Sequence, residues 1–161
     1  MKITRIQHKP KVVEYVDVGG KLPVLNGIDT SLFEENIANI VRWIESGTGI
    51  PEEYYRESQG IDYLLMDHGW MHLHIGYGID DNALLIVEQT EDKVIFIAIT
   101  DHSIFDERPR GKSLINKFGN KVKHLKQNPI PTPQPTNPQT TPAPSQLRSK
   151  TLTLKKPTKE N

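Results

Sequence analysis

The 161 residues predict an α+β domain: a small curved antiparallel β-sheet, wound as a meander, with one or two helices packed on one face, followed by a disordered tail. Three observations carry this expectation. Between Ile61 and Thr100, runs of apolar and β-branched residues alternate with short polar links, which is strand patterning. Two other stretches, 32–45 and 112–126, space their apolar residues at three and four, which is helix patterning. From Gln127 the composition changes: no aromatic residue and few large aliphatics follow, too little to offset the entropy of ordering the chain. Both tryptophans, all five tyrosines and all four phenylalanines precede that point. The expected division is therefore a domain over 1–126 and a tail over 127–161.

In chain order, residues 2–6 and 11–18 read as two short strands with Pro10 near the turn between them. Gly19-Gly20, Pro23 and Asn26-Gly27 punctuate a loop. Asp29, Thr30 and Ser31 offer helix N-caps, and Ser31, with Glu34 three residues on, fits a capping box ahead of a helix whose buried stripe is Phe33, Ile37, Ile40, Val41 and Ile44. Gly47 and Gly49 end it, and Pro51 opens a turn or short helix through Tyr54 and Tyr55. Residues 61–66, 70–76, 83–89 and 93–100 read as four strands, the last two forming a hairpin. Links this short join antiparallel neighbours. Leu114, Phe118, Val122 and Leu125 give the last helix its stripe.

Formal net charge is zero, yet the charge is split: residues 1–107 hold 8 Lys/Arg against 19 Asp/Glu, a balance of −11, and residues 108–161 hold 12 against the single acid Glu160, a balance of +11. A basic tail suits an anionic partner, either nucleic acid or an acidic protein surface, or simply keeps an unstructured segment dissolved. The absence of cysteine excludes a disulfide framework and a thiolate metal site. No run resembles a signal peptide or a membrane span, so a cytoplasmic protein without membrane contact is expected.

Of six histidines, five follow residue 67. In Trp70-Met71-His72-Leu73-His74-Ile75, alternation sends Met71, Leu73 and Ile75 to the core and Trp70, His72 and His74 to the opposite face. His102 follows the last strand, and His68 precedes the histidine strand, so three or four imidazoles are expected near one end of the sheet. Such a set admits three readings. Imidazole titrates nearest neutrality and serves acid–base chemistry on a phosphodiester. His-x-His with a distant His also suits a cupin-like metal set, though the glutamate and glycine spacing of a cupin is missing. The ordinary reading is a row of solvent-facing histidines on the polar side of a sheet.

From Trp43 to about Phe118 the chain resembles the YafO-type toxins of bacterial toxin–antitoxin pairs, grouped with the RelE-like mRNA interferases. Trp43-Ile44-Glu45-Ser46-Gly47 and Ile50-Pro51-Glu52-Glu53-Tyr54-Tyr55-Arg56-Glu57 are similar to that family's helix end and its following Leu-Pro and aromatic-Gly-Arg-Asp segment. His72-Leu73-His74-Ile75 resembles its His-Ile-His-Leu strand, and the strands 84–89 and 97–102 its histidine-terminated pair. Gly111-Lys112 to Phe118 falls where the family has a Lys-rich terminal helix. Asp67-His68, His74, Asp81 and His102-Ser103-Ile104-Phe105 are also similar to the RNA site of the related YafQ-type toxins.

The resemblance implies ribosome-linked cleavage of messenger RNA without metal or other cofactor, and an antitoxin partner. It implies His74 and His102 as the acid–base pair, His72 and Asp101 as orienters, Arg108, Arg110 and Lys112 on phosphate, and Phe105 or Tyr77 stacked on a base. With the first 107 residues acidic, the cations for RNA come from Arg108 onward, including Lys117, Lys121 and Lys123. The alternative is a non-enzymatic adaptor that uses the tail. Prolines at 129, 131, 133, 135, 138, 142 and 144 make a polyproline-II spacer ahead of Lys150-Thr151-Leu152-Thr153-Leu154-Lys155, which resembles short segments in extensions of bacterial RNA-binding proteins.

Overall fold

A computed structural model describes residues 5–17, 19–56, 62–76 and 82–128. It contains strand β1 (Val12–Tyr15), helix α1 (Glu34–Ser46), helix α2 (Tyr63–His68), strands β2 (Met71–His74), β3 (Leu84–Gln89) and β4 (Lys93–Thr100), and helix α3 (Lys112–Gln127). Single 3₁₀ turns lie at Thr30–Leu32, Glu52–Tyr54 and His102–Asp106. The class is α+β, as expected.

The sheet order is β1-β4-β3-β2. β2, β3 and β4 form the antiparallel meander, while β1 joins β4 in parallel, so the sheet is mixed. The expected pairing of the first two strands across Pro10 is not made: Arg5 and Ile6 lie outside any strand, and residues 2–4 lie outside the described residues. Near Ile97 the β3–β4 ladder shifts by one: Val87 faces Phe96, whereas Ile86 faces Ala98, which leaves Ile97 as the extra residue of a bulge.

Both faces of the sheet are covered, not one. On the first face Leu73, Leu85, Val87, Val94 and Phe96 pack with Ile40 and Ile44 of α1. On the second, Leu84, Ile86, Ile95 and Ile97 pack with Leu64 of α2 and Leu114, Phe118 and Val122 of α3. Each such side chain contributes about 1.5–3 kcal/mol on burial, and β3 and β4 are accordingly apolar on both sides.

Local chemistry sets the element ends. Asp29, not Ser31, does the capping before α1, and it caps the 3₁₀ turn by accepting from Ser31 N at 3.1 Å. α1 starts on Glu34 and Glu35, acids suited to the positive helix end, and stops at Gly47 (φ 75°). A Cβ at Gly47 would lie 2.6 Å from Pro10 N, so the chain crossing there admits only glycine. The expected strand over 61–66 is instead α2: Asp62 Oδ1 accepts from Leu65 N at 3.1 Å and Gly69 (φ 78°) closes the helix, so cap chemistry at both ends prevails over weak alternation.

Candidate acid–base site

Alternation along β2 places His72 and His74 on the second face, as predicted, but that face is packed and not open to solvent. His74 is only 5 % exposed, and both of its ring nitrogens are shut off from water. This corrects the reading of solvent-facing histidines. His72 and His74 ring centroids lie 5.2 Å apart, and His74 and His102 lie 5.3 Å apart. Phe105 stands 5.0 Å from His72 and 6.1 Å from His102. Three imidazoles and one phenyl ring therefore share one cluster. His68 does not join it: its ring lies 6.3 Å from Trp70, beside a separate cleft bordered by Glu88 and α3.

Each imidazole of the cluster sits in its own surroundings. His72 Nδ1 lies 3.2 Å from Asp62 Oδ2, an ion pair when the ring is protonated, without the alignment of a straight hydrogen bond. Asp62 thus caps α2 with one oxygen and faces His72 with the other. Burial opposes ionisation of Asp62, but its contact with His72 and the backbone N–H groups of Leu65 and Leu64 outweigh that and hold the carboxyl below its ordinary range.

His102 Nδ1 lies 2.9 Å from Asn82 Oδ1, and its backbone N–H donates to the same oxygen at 3.1 Å. Burial, followed by the charge of His72, pushes His102 below 6.5, so the ring is neutral near pH 7. Asp101, expected to orient His102, spends its Oδ1 elsewhere: it accepts from Ser103 N at 2.9 Å, from Ser103 Oγ and from Asn26 Nδ2 at 3.2 Å. The Ser103 hydroxyl bond, foremost, lowers the Asp101 carboxyl, whose charge still acts on His102 through space.

The cations expected on phosphate are distributed unevenly. Arg108 Nη1 donates to the backbone carbonyls of Phe105 at 3.2 Å and Glu107 at 2.9 Å, which ties the guanidinium to the chain just after the cluster. Arg110 stacks 4.7 Å over Tyr63, the residue after Asp62. Lys112 opens α3 and, together with Arg108, lines a different cleft with Glu107, Ser113 and Asn116. Farther along α3, Lys121 pairs with Asp17 at 3.2 Å and Lys126 with Glu88 at 2.7 Å. Tyr77 and Asp81 lie outside the described residues, as do residues 129–161 with the proline spacer and the basic segment.

Asp62 and Asn82 were missed from sequence. An Asp followed by helix formers and a Gly seven residues on was the available signal for Asp62. The signal for Asn82 was hidden by the bulge at Ile97, which moves the ladder so that its numbering, carried past Leu84 and Thr100, sets Asn82 opposite His102 and not Asp101.

Among the described residues, no three His, Asp or Glu side chains are grouped to hold a metal ion, and no helix is long and apolar enough to cross a membrane. Away from the histidines, an apolar cleft of about 680 Å³ lies between α1 and Tyr15, Leu22, Val24 and Ile99. No family model, curated protein or solved structure matches the chain.

Proposed function

We propose that the histidine cluster cleaves RNA by metal-independent acid–base chemistry, in the manner of a ribosome-linked mRNA interferase held in check by an antitoxin. The observation that supports this best is the convergence of His72, His74 and His102 with Phe105, whose carbonyl accepts from Arg108, with Arg110 two residues on. In this reading a neutral imidazole removes the proton of a 2′-hydroxyl, whose oxygen attacks the adjacent phosphorus. The P–O5′ bond breaks, a protonated imidazole gives its proton to the departing oxygen, and the guanidinium groups balance the charge that builds on the phosphoryl oxygens. His102 and His74 form the pair, and Phe105 offers a face for a base.

A second reading, a non-enzymatic adaptor, draws on the closure of both His74 nitrogens from solvent. Inducible expression in bacteria separates the two. Wild type should arrest growth and leave new 5′ ends inside translated messages, both lost in His74→Ala/His102→Ala. Normal growth with intact messages from folded wild-type protein would reject the nuclease and leave the adaptor.

A further inference from the structure

We infer that Asn82 is a positioning residue that makes His102 the proton acceptor of the cluster, by holding the hydrogen on Nδ1 and leaving the lone pair on Nε2. The inference rests on the acid–base reading above, and deepens it by assigning the base. A side-chain amide presents two chemically different atoms, and the ring nitrogen alone does not reveal which one it meets. The backbone settles it. The His102 main-chain N–H can only donate, so the amide atom 3.1 Å from it is the oxygen. That same oxygen lies 2.9 Å from Nδ1. An amide oxygen only accepts, so Nδ1 must carry the hydrogen. In the neutral ring the other nitrogen, Nε2, is then the basic one.

The sheet holds this arrangement in place. Asn82 stands two residues before Leu84 and His102 two after Thr100, and Leu84 and Thr100 are paired in the β3–β4 ladder. With two bonds converging on one oxygen, rotation of the amide would set N–H against N–H. The groups around His102 also agree. His72, His74, Phe105 and Arg56 offer the ring no anion, and Asp101, the nearest carboxylate, is engaged by Ser103 and Asn26. A neutral ring with its lone pair on a chosen nitrogen is the form a general base requires.

The test is a ¹⁵N-resolved NMR spectrum of the full chain at pH 7.5, recorded for wild type, Asn82→Ala and Asn82→Asp without any RNA present. Wild-type His102 should show a protonated Nδ1 and a pyridine-type Nε2. Asn82→Ala should move the ring toward the Nε2–H form, whereas Asn82→Asp, which keeps an acceptor oxygen, should retain Nδ1–H and raise the titration midpoint by about one unit. If cleavage is measurable, Asn82→Ala should lower kcat about tenfold or more at unchanged KM, with Asn82→Asp restoring the tautomer. An Nε2–H ring in wild type, or no change in Asn82→Ala, would overturn the assignment. The correct tautomer in a protein that cuts no RNA would instead reject the nuclease reading.

Discussion

The two faces of the sheet are built differently. The α1 face is a mostly apolar layer in which Phe96 meets Tyr15 edge-on at 5.6 Å between Leu73, Leu85 and Val87, its polar atoms being chiefly the bonded hydroxyls of Tyr54 and Tyr55. The α3 face buries nearly as many aliphatics but also holds His74, Glu88, Lys93 and Thr100. Apolar packing fills space at no electrostatic cost, whereas each buried polar group needs a partner. For Lys93 and Glu88 the partners are specific. Lys93 Nζ, almost fully buried, reaches Glu14 at 3.0 Å and the carbonyls of Leu125 and Asn128 at 2.6 and 2.8 Å, so a strand cation closes the negative end of α3. Glu88 is matched by Lys126. One face therefore supplies stability, and the other combines stability with placement of titrating groups.

Three substitutions and one titration separate these roles, from the largest effect to the smallest. Phe96→Ala should cost about 3–5 kcal/mol in urea unfolding and leave the histidine resonances of the folded protein unmoved. If those resonances move, the faces are not independent. Lys93→Ala should cost about 3 kcal/mol, the lower end for a broken buried pair because Glu14 remains partly hydrated, and hydrogen exchange should quicken at the end of α3 before the rest of the helix. Asp62→Ala, losing the cap of α2, should cost about 1 kcal/mol, with a change of His72 ring contacts visible as shifts in β2 but not in β1.

The smallest effect is that of acid. His102 is held below 6.5, so as pH falls the unfolded chain takes up that proton first; stability is full above 6.5 and declines beneath it. Asp62 and Asp101 are held below 3.8, so their contribution is intact above 3.8 and is lost as pH falls through their lower folded values. Urea midpoints should thus fall gently between neutrality and pH 5, then steeply below pH 4. His102→Gln should abolish the first decline only.

Much of this was legible from residue order. The hairpin of β3 and β4, the stripes of α1 and α3, and the shared face of His72 and His74 all follow from period two or period 3.6 patterning, because those patterns record burial directly. What stayed hidden depends on contacts remote in sequence. The parallel seat of β1 beside β4 is chosen by tertiary packing, and Val12 and Val13 carry no mark of it. That the histidines are covered follows from the 102–106 turn and the start of α2 meeting them, which periodicity within β2 cannot announce. The bulge at Ile97 interrupts a run, Val94 to Ile99, that is apolar throughout, so nothing in side-chain type marks the extra residue. Yet that residue decides that His102, and not Asp101, stands opposite Asn82.

The most direct test of the central claim is the chemistry of the ends produced by purified full-length protein on messenger RNA bound to translating ribosomes, with chelator present. Attack by the 2′-hydroxyl should leave 5′-hydroxyl and 2′,3′-cyclic phosphate termini, with cleavage reduced by a factor of about 10²–10⁴ in His102→Ala of unchanged fold. Termini bearing 5′-phosphate, or cleavage undiminished in His102→Ala, would contradict the claim.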